Sequence, residues 1–404
     1  MKGVLLRSRD GRRFLVAQLM DSMAGGLSLV VLPWMVLDAG GSRSLAGAAF
    51  LIATIPYLVL GLHAGELGDR RGRRRIMVSA AVLQAVAACV LPLTVALGPA
   101  ANDLPLALIF AAGMGVTAGR VFVDAAAFGA TARLVGDEHF VEGQANLSLV
   151  WSLGFLIGPA LGGALIGLVG AVEALWVEAA GFALAAVLLA SIRTELGPEA
   201  AEGARRAGVL SGVEVVARDR TLRRLTSVSM AWNLTVNVFY ALMVVFLRTH
   251  LHASGPEAGR MLAIGGAAGL AGGAIAPLAR ERLGPTGALR AGLIGSAAAS
   301  VILALAPGLG VATAGFAGLE ITGLFFITLV IGERQTRAAP AQQARVGITG
   351  RMAALLAASI GAVAASALVA VISPGGVFVV AAAATVAVAA VSVPLVRLEA
   401  DGSD

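Results

Sequence analysis

Apolar runs broken by short polar or Gly/Pro turns repeat along the whole chain. Twelve of them approach or exceed the roughly 20 residues that a helix needs to cross a bilayer. They fall at 14–37, 45–66, 76–97, 104–131, 146–168, 172–192, 222–247, 259–280, 287–306, 308–332, 350–372 and 376–396, with turns such as Pro307-Gly308 and Pro374-Gly375 between them. The first run is too long for the apolar part of a signal peptide, carries Asp21 and has no evident small-residue cleavage site, so it reads as a helix. The pattern predicts an all-α polytopic membrane protein with twelve transmembrane helices.

Composition points the same way. Hydrophobic residues make up 58% and charged residues 13% of the chain, against roughly 25% charged in a soluble domain. Mean hydropathy is +0.87, leaving too little polar surface to coat a soluble protein of this size. The 52 glycines suit helices that must pack closely in lipid. Lys2 is the only lysine, which excludes a G-x-x-x-x-G-K-[ST] phosphate loop. One cysteine (Cys89) and four scattered histidines offer neither a disulfide framework nor a metal cluster, so no cofactor and no metal are expected.

Cationic residues stay on the cytoplasmic side of a membrane protein. With both termini inside, 26 of the 30 Lys and Arg fall in inner regions, three (Arg43, Arg248, Arg260) in outer loops, and Arg120 within segment 4. The sequence therefore predicts a multi-pass protein of the plasma or inner membrane with both ends cytoplasmic. The net charge of +6 then reports insertion and contact with anionic membrane lipids rather than nucleic acid.

The longest polar stretch, 193–220, separates six segments from six, giving an N-terminal bundle at 1–192, a cytoplasmic linker at 193–220 and a C-terminal bundle at 221–404. An offset of 212 residues carries Asp69-Arg70-Arg71-Gly72 onto Glu281-Arg282-Leu283-Gly284, and Asp21 onto Asn233. Two pseudo-symmetric six-helix bundles are an architecture that transporters use.

The loop after segment 2 runs Gly65-Glu-Leu-Gly-Asp69-Arg70-Arg71-Gly72-Arg73-Arg74-Arg75. Glycine allows a tight turn at the membrane surface, and an acid four residues before an arginine can form a charge-assisted bond that pins that turn. The spacing G-x-L-x-D-R-x-G-R-R resembles the loop 2–3 signature of the major facilitator superfamily. That resemblance implies the superfamily's fold and a cytoplasmic gate in which Asp69 and Arg73 latch the halves, with Gly65, Arg70 and Gly72 shaping the loop. Segment 5 carries Gly154-Phe-Leu-Ile-Gly158-Pro159-Ala-Leu-Gly162-Gly163. Glycines four apart make a flat face for close helix approach, and Pro159 removes a backbone donor. The combination resembles the antiporter motif of the superfamily's drug/proton exporters and implies a structural seal at one end of the pathway. Asp124-Ala-Ala-Ala, Ala145-Asn146, Glu333-Arg334-Gln335, Pro340 and Arg345 resemble the branch of macrolide and siderophore exporters. One departure is Arg120, which lies lower in segment 4 than the arginine of many drug exporters and lacks the Q-G that follows it there.

Ionisable groups inside a bilayer are expensive, at least ~2.5–3.5 kcal/mol each by insertion scales. Asp21 sits in segment 1 with Gln18 three residues earlier on the same face, and Glu320 sits near the middle of segment 10. Asn233, Asn237 and Tyr240 share one face of segment 7. In the superfamily, helices 1, 4, 7 and 10 line the central cavity, so these polar residues become candidates for a stripe along a water-filled pathway. Interhelical hydrogen bonding is the alternative for the asparagines, and structural pairing the alternative for the acids. A carboxylate in a low-dielectric site can hold a proton near neutrality. Glu320 is the first candidate for proton coupling and Asp21 the second. Arg120 and Asp124 are four apart; they either form a local pair that snorkels to the interface, or Asp124 joins Arg73 in the inner gate.

These readings predict a monomeric secondary transporter that exports small lipophilic molecules, drug-, antibiotic- or siderophore-like, by proton antiport with alternating access. Proton-coupled uptake of an organic solute is the alternative, disfavoured by the segment-5 motif and the thin supply of aromatics, 5% of the chain. An intramembrane enzyme is less favoured still, because H-E-x-x-H, G-x-S-x-G and D-x-D are absent. A non-transporting sensor would have no need of Asp21 and Glu320.

Overall fold

A computed structural model describes residues 4–52, 55–57, 59–61, 63–64, 72–98, 100, 103–197, 209–338 and 342–396. Among the described residues, twelve long helices follow the apolar runs: α1 (Arg9–Asp38), α2 (Arg43–Gly61), α3 (Arg73–Ala96), α4 (Leu106–Val135), α5 (Phe140–Leu168), α6 (Ala171–Ala190), α7 (Arg220–Thr249), α8 (255–283), α9 (285–304), α10 (Leu309–Arg337), α11 (Gln343–Leu368) and α12 (Pro374–Leu395). A short helix, Val209–Arg218, precedes α7. Helix α8 runs into α9 with one break at Gly284, whose φ of 69° and ψ of 166° only glycine adopts without strain.

Several helices are longer than the apolar runs that predict them, whereas α6 stops two residues short of its run. Helix α1 starts at Arg9 and α10 continues to Arg337, five residues past each run. Hydropathy marks the part of a helix that must lie in hydrocarbon, whereas helical hydrogen bonding continues wherever the ends find partners. Ser8 supplies one by accepting from the Gly11 N–H at 2.9 Å. Asp10 Oδ2 accepts from the Arg193 and Thr194 N–H groups, in the stretch that follows α6.

The chain divides into two compact units, Met1–Ala200 with Ala253–Ala263, and Ala201–His252 with Ile264–Asp404. In the first, α1 packs chiefly on α5 and α6, and α3 on α4 and α6. In the second, α7 packs chiefly on α11 and α12. Phe239 and Phe246 of α7 clasp Phe378 of α12, at ring-centroid distances of 4.8 and 4.2 Å. Meanwhile Val86, Val187, Ile294 and Val391 are more than half exposed. In water such a surface would be a liability; in lipid it is the outer wall.

Candidate functional site

Two helices of the first unit, α1 and α4, bring charge to its interior. Arg120 of α4 is 7% exposed and does not snorkel. Its Nη1 stands 3.1 Å from Asp21 Oδ2 and donates to the Asp21 carbonyl at 3.1 Å, both on α1. Its Nε donates to Asp124 Oδ1 at 3.2 Å, one turn along α4, and its Nη2 to Ser22 Oγ at 3.1 Å. Tyr57 of α2 closes the group by donating to Asp124 Oδ2 at 2.7 Å. The Phe155 ring of α5 lies 5.4 Å from the guanidinium carbon. The expected local Arg120–Asp124 pair is present, then, but as part of a buried cluster that also holds Asp21. Arg120, Tyr57 and Gln84 line a cavity of about 80 Å³ beside it. Gln18 takes another direction: fully buried, it accepts from Trp151 Nε1 of α5 at 2.9 Å, so its oxygen serves α1–α5 packing.

The glycine face of α5 lies against α1. A Cβ on Gly158 would meet the Met23 carbonyl and, at 2.8 Å, Gly26 Cα; one on Gly154 would meet Ser22 and the Met23 nitrogen. A Cβ on Gly162 would reach the Leu27 carbonyl at 3.1 Å. Pro159 itself rests near Gly26. Gly163 faces the 255–259 stretch, which belongs to the same unit.

Of the loop residues, Gly65, Asp69 and Arg70 lie outside the described residues. Gly72 precedes α3 with φ 84°, and the Arg73 N–H that follows donates to the Leu196 carbonyl at 3.1 Å. The Arg73 side chain is buried, lies flat over Gly129 of α4, and donates to the Gly197 carbonyl at 3.4 Å.

In the second unit, the half-buried Tyr240 of α7 brings its hydroxyl beside Glu320 of α10. Its ring meets Phe316 edge-on at 6.3 Å. Gly265 and Gly269 of α8 leave room for the Glu320 side chain, where a Cβ would approach it to 3.3 and 3.4 Å. Among the described residues no cation ion-pairs with Glu320. Asn233 and Asn237 donate one turn back along α7 itself, to the Ser229 and Asn233 carbonyls at 2.8 Å each. These bonds lie within α7, and among the described residues neither asparagine bonds another helix.

Sequence reasoning missed Tyr57, Ser22 and Gln84, whose roles come from helix packing alone. It also missed Glu178 of α6, 1% exposed and bonded by Ser28 Oγ of α1; an acid inside an apolar run was a legible signal. Among the described residues, no group of three His, Cys, Asp or Glu could hold a metal.

The family profile described as Major Facilitator Superfamily matches residues 14–337. The chain is similar to the multidrug efflux pump Tap of Mycobacterium tuberculosis (strain H37Rv), 30% identical over 249 residues that cover 58% of this chain and 56% of that one. It is 31% identical to Tap of Mycolicibacterium fortuitum over 231 residues, 54% of each. The match thus spans little more than half the length of these relatives. Among solved structures, a mutant of the nucleoside transporter NupG is similar in fold, with a TM-score of 0.78 at 11% identity over 96% of this chain and all of that one. A bacterial homologue of the iron transporter ferroportin follows at 0.73 and 16% identity, covering 96% and 99%.

Proposed function

From the premise that this chain belongs to the Major Facilitator Superfamily, and so is a multi-pass membrane transporter rather than an enzyme, we propose that it exports small lipophilic molecules in exchange for protons. Alternating access then carries substrate out as protons move in, with both termini in the cytoplasm, in keeping with the arginine distribution. The protein works as a monomer in contact with membrane lipid.

The observation that carries this reading is Glu320: a carboxyl group near the middle of α10, beside Tyr240 and lacking a cationic partner among the described residues. Such a group changes its charge when it takes a proton, and a lipophilic cation competes for the ionised form. That competition is exchange. The Asp21–Arg120–Asp124 cluster is the second coupling element. With both acids ionised it carries one negative charge, and with one proton bound it is neutral. Protonation of Asp21 removes its ion pair with Arg120, which then keeps its charge on Asp124 and holds α1 only through the Asp21 carbonyl and Ser22 Oγ. The mycobacterial efflux pumps support lipophilic, drug-like substrates as the class.

The test uses purified protein in liposomes under an imposed pH gradient, with an internal pH dye and a panel of lipophilic cations, macrolides and siderophore-like compounds. Substrate-dependent proton movement, lost in Glu320→Gln with the fold intact, is the expected result. Full coupling in Glu320→Gln removes Glu320 from the role, and proton-independent efflux removes antiport.

A further inference from the structure

We propose that the second unit holds a binding site for a phosphate oxyanion, built on Arg334. This side chain is 6% exposed. Among the described residues its Nε has no hydrogen-bond partner, and its Nη2 makes only a long 3.4 Å contact with the Leu225 carbonyl. The preceding acid gives it nothing, because Glu333 turns away to Arg280, whose Nε stands 2.5 Å from Oε1. Arg120 of the first unit shows how the same problem is solved internally, with two carboxylates around one guanidinium. An uncompensated buried cation is strongly unfavourable, so Arg334 calls for an anion from outside the chain.

The surroundings suit one. Arg334 lines a cavity of about 250 Å³ between α7, α10 and α11, walled also by Ser229, Asn233, Gln335, Gly350 and Arg351. Among the described residues, two arginines and no acid line it. The guanidinium lies flat on Gly350, where any side chain would displace it. The Asn233 amide is committed to the Ser229 carbonyl, whereas the Ser229 hydroxyl receives only a 3.5 Å contact and donates to no described residue. Two donors, Arg334 Nε and Ser229 O–H, are thus unspent in one cavity. A guanidinium edge and a hydroxyl together match the oxygens of phosphate. Arg334 lies three residues before the end of α10, where the helix leaves the apolar run. That position gives access to a soluble phosphate and to a lipid headgroup alike. The site does not depend on proton exchange and would exist without it.

The experiment measures thermal unfolding of the full chain in neutral detergent. Inorganic phosphate is titrated against chloride at matched ionic strength, and dioctanoyl phosphatidylglycerol against dioctanoylglycerol. The site predicts saturable stabilisation by phosphate, which assigns a free oxyanion, or by phosphatidylglycerol alone, which assigns a headgroup. Arg334→Gln should raise the half-saturating concentration about tenfold, the worth of one charge-assisted bond, and Ser229→Ala about fivefold. Arg334→Lys keeps the charge without the planar fork and covers the case in which Arg334→Gln does not fold. The proposal is overturned if neither phosphate nor phosphatidylglycerol stabilises beyond its control. Stabilisation unaltered in Ser229→Ala and in both Arg334 variants overturns it equally.

Discussion

Arg120 Nη1 stands 3.1 Å from Asp21 Oδ2, across the interface of α4 with α1, while its Nε holds Asp124 on its own helix. One cation therefore serves two acids inside the first unit. The arrangement ties α1 to α4 by charge where glycine ties α1 to α5 by shape, so α1 is held on two sides by different physics.

Removing Arg120 and removing Asp21 should cost unequal amounts of stability. Arg120→Gln leaves two buried carboxylates facing each other without a counter-charge. Asp21→Asn leaves Arg120 paired with Asp124. Breaking a buried pair by removing one partner costs about 3–5 kcal/mol, and the arginine variant should approach the top of that range. Thermal unfolding of the purified variants ranks them. The double variant Arg120→Gln/Asp21→Asn should recover part of the loss; no recovery would mean that the two side chains do not interact.

A methyl group should discriminate between two glycines. At Gly158 it meets the backbone of α1, with Gly26 Cα at 2.8 Å, and backbone cannot step aside as a side chain can. Gly158→Ala should lower stability by about 1–3 kcal/mol. At Gly332, in α10, a Cβ meets nothing within 4 Å. There alanine's better helix propensity should dominate, raising stability by about 0.5–1 kcal/mol. Equal effects in parallel unfolding measurements would show that the α1–α5 contact is looser than described.

What was legible in the sequence follows from period and length. The apolar runs located all twelve helices because the bilayer sets a minimum length that few other structures need. Their ends were less legible, since Arg9 and Arg337 are helical yet lie outside any apolar run. Asp21 and Glu320 stood out because a charge in an apolar run is conspicuous, and Arg120 with Asp124 because they sit four apart. Partnerships between helices were beyond reach. Nothing in the spacing says that Arg120 meets Asp21, that Tyr57 bonds Asp124, or that Gln18 turns to Trp151. Those depend on the rotation and crossing of helices far apart in the chain, which one sequence does not encode visibly.

Gly129 offers a way to disturb Arg73 without unfolding the protein. A Cβ there would stand 2.5 Å from Arg73 Cζ and 2.8 Å from Nη2, the far end of a flexible side chain. Gly129→Ala should therefore push the guanidinium aside at little cost in thermal stability. If Arg73 belongs to a gate, substrate-dependent transport in liposomes should fall in Gly129→Ala as it does in Arg73→Gln. Normal transport in Gly129→Ala together with a loss in Arg73→Gln would show that the placement of Arg73 over α4 is irrelevant to its role.

Glu178 and Ser28 form the last pair, and here the acid is the more expendable partner. Glu178 Oε1 accepts from the Ser28 hydroxyl, while Oε2 has no hydrogen-bond partner among the described residues, and the residue is 1% exposed. Ser28→Ala removes the one donor and leaves a buried carboxyl wholly unsatisfied, which should cost about 1–3 kcal/mol. Glu178→Gln keeps an oxygen to accept from Ser28 and removes the burden of an ionisable group, so it should stay within about 1 kcal/mol of the parent protein. The expected order of unfolding temperatures is parent and Glu178→Gln together, then Ser28→Ala below them. The reverse order, with Glu178→Gln the weakest, would mean that the carboxylate's charge itself holds α6 in place. It would then have to meet a cation or a dipole beyond Ser28.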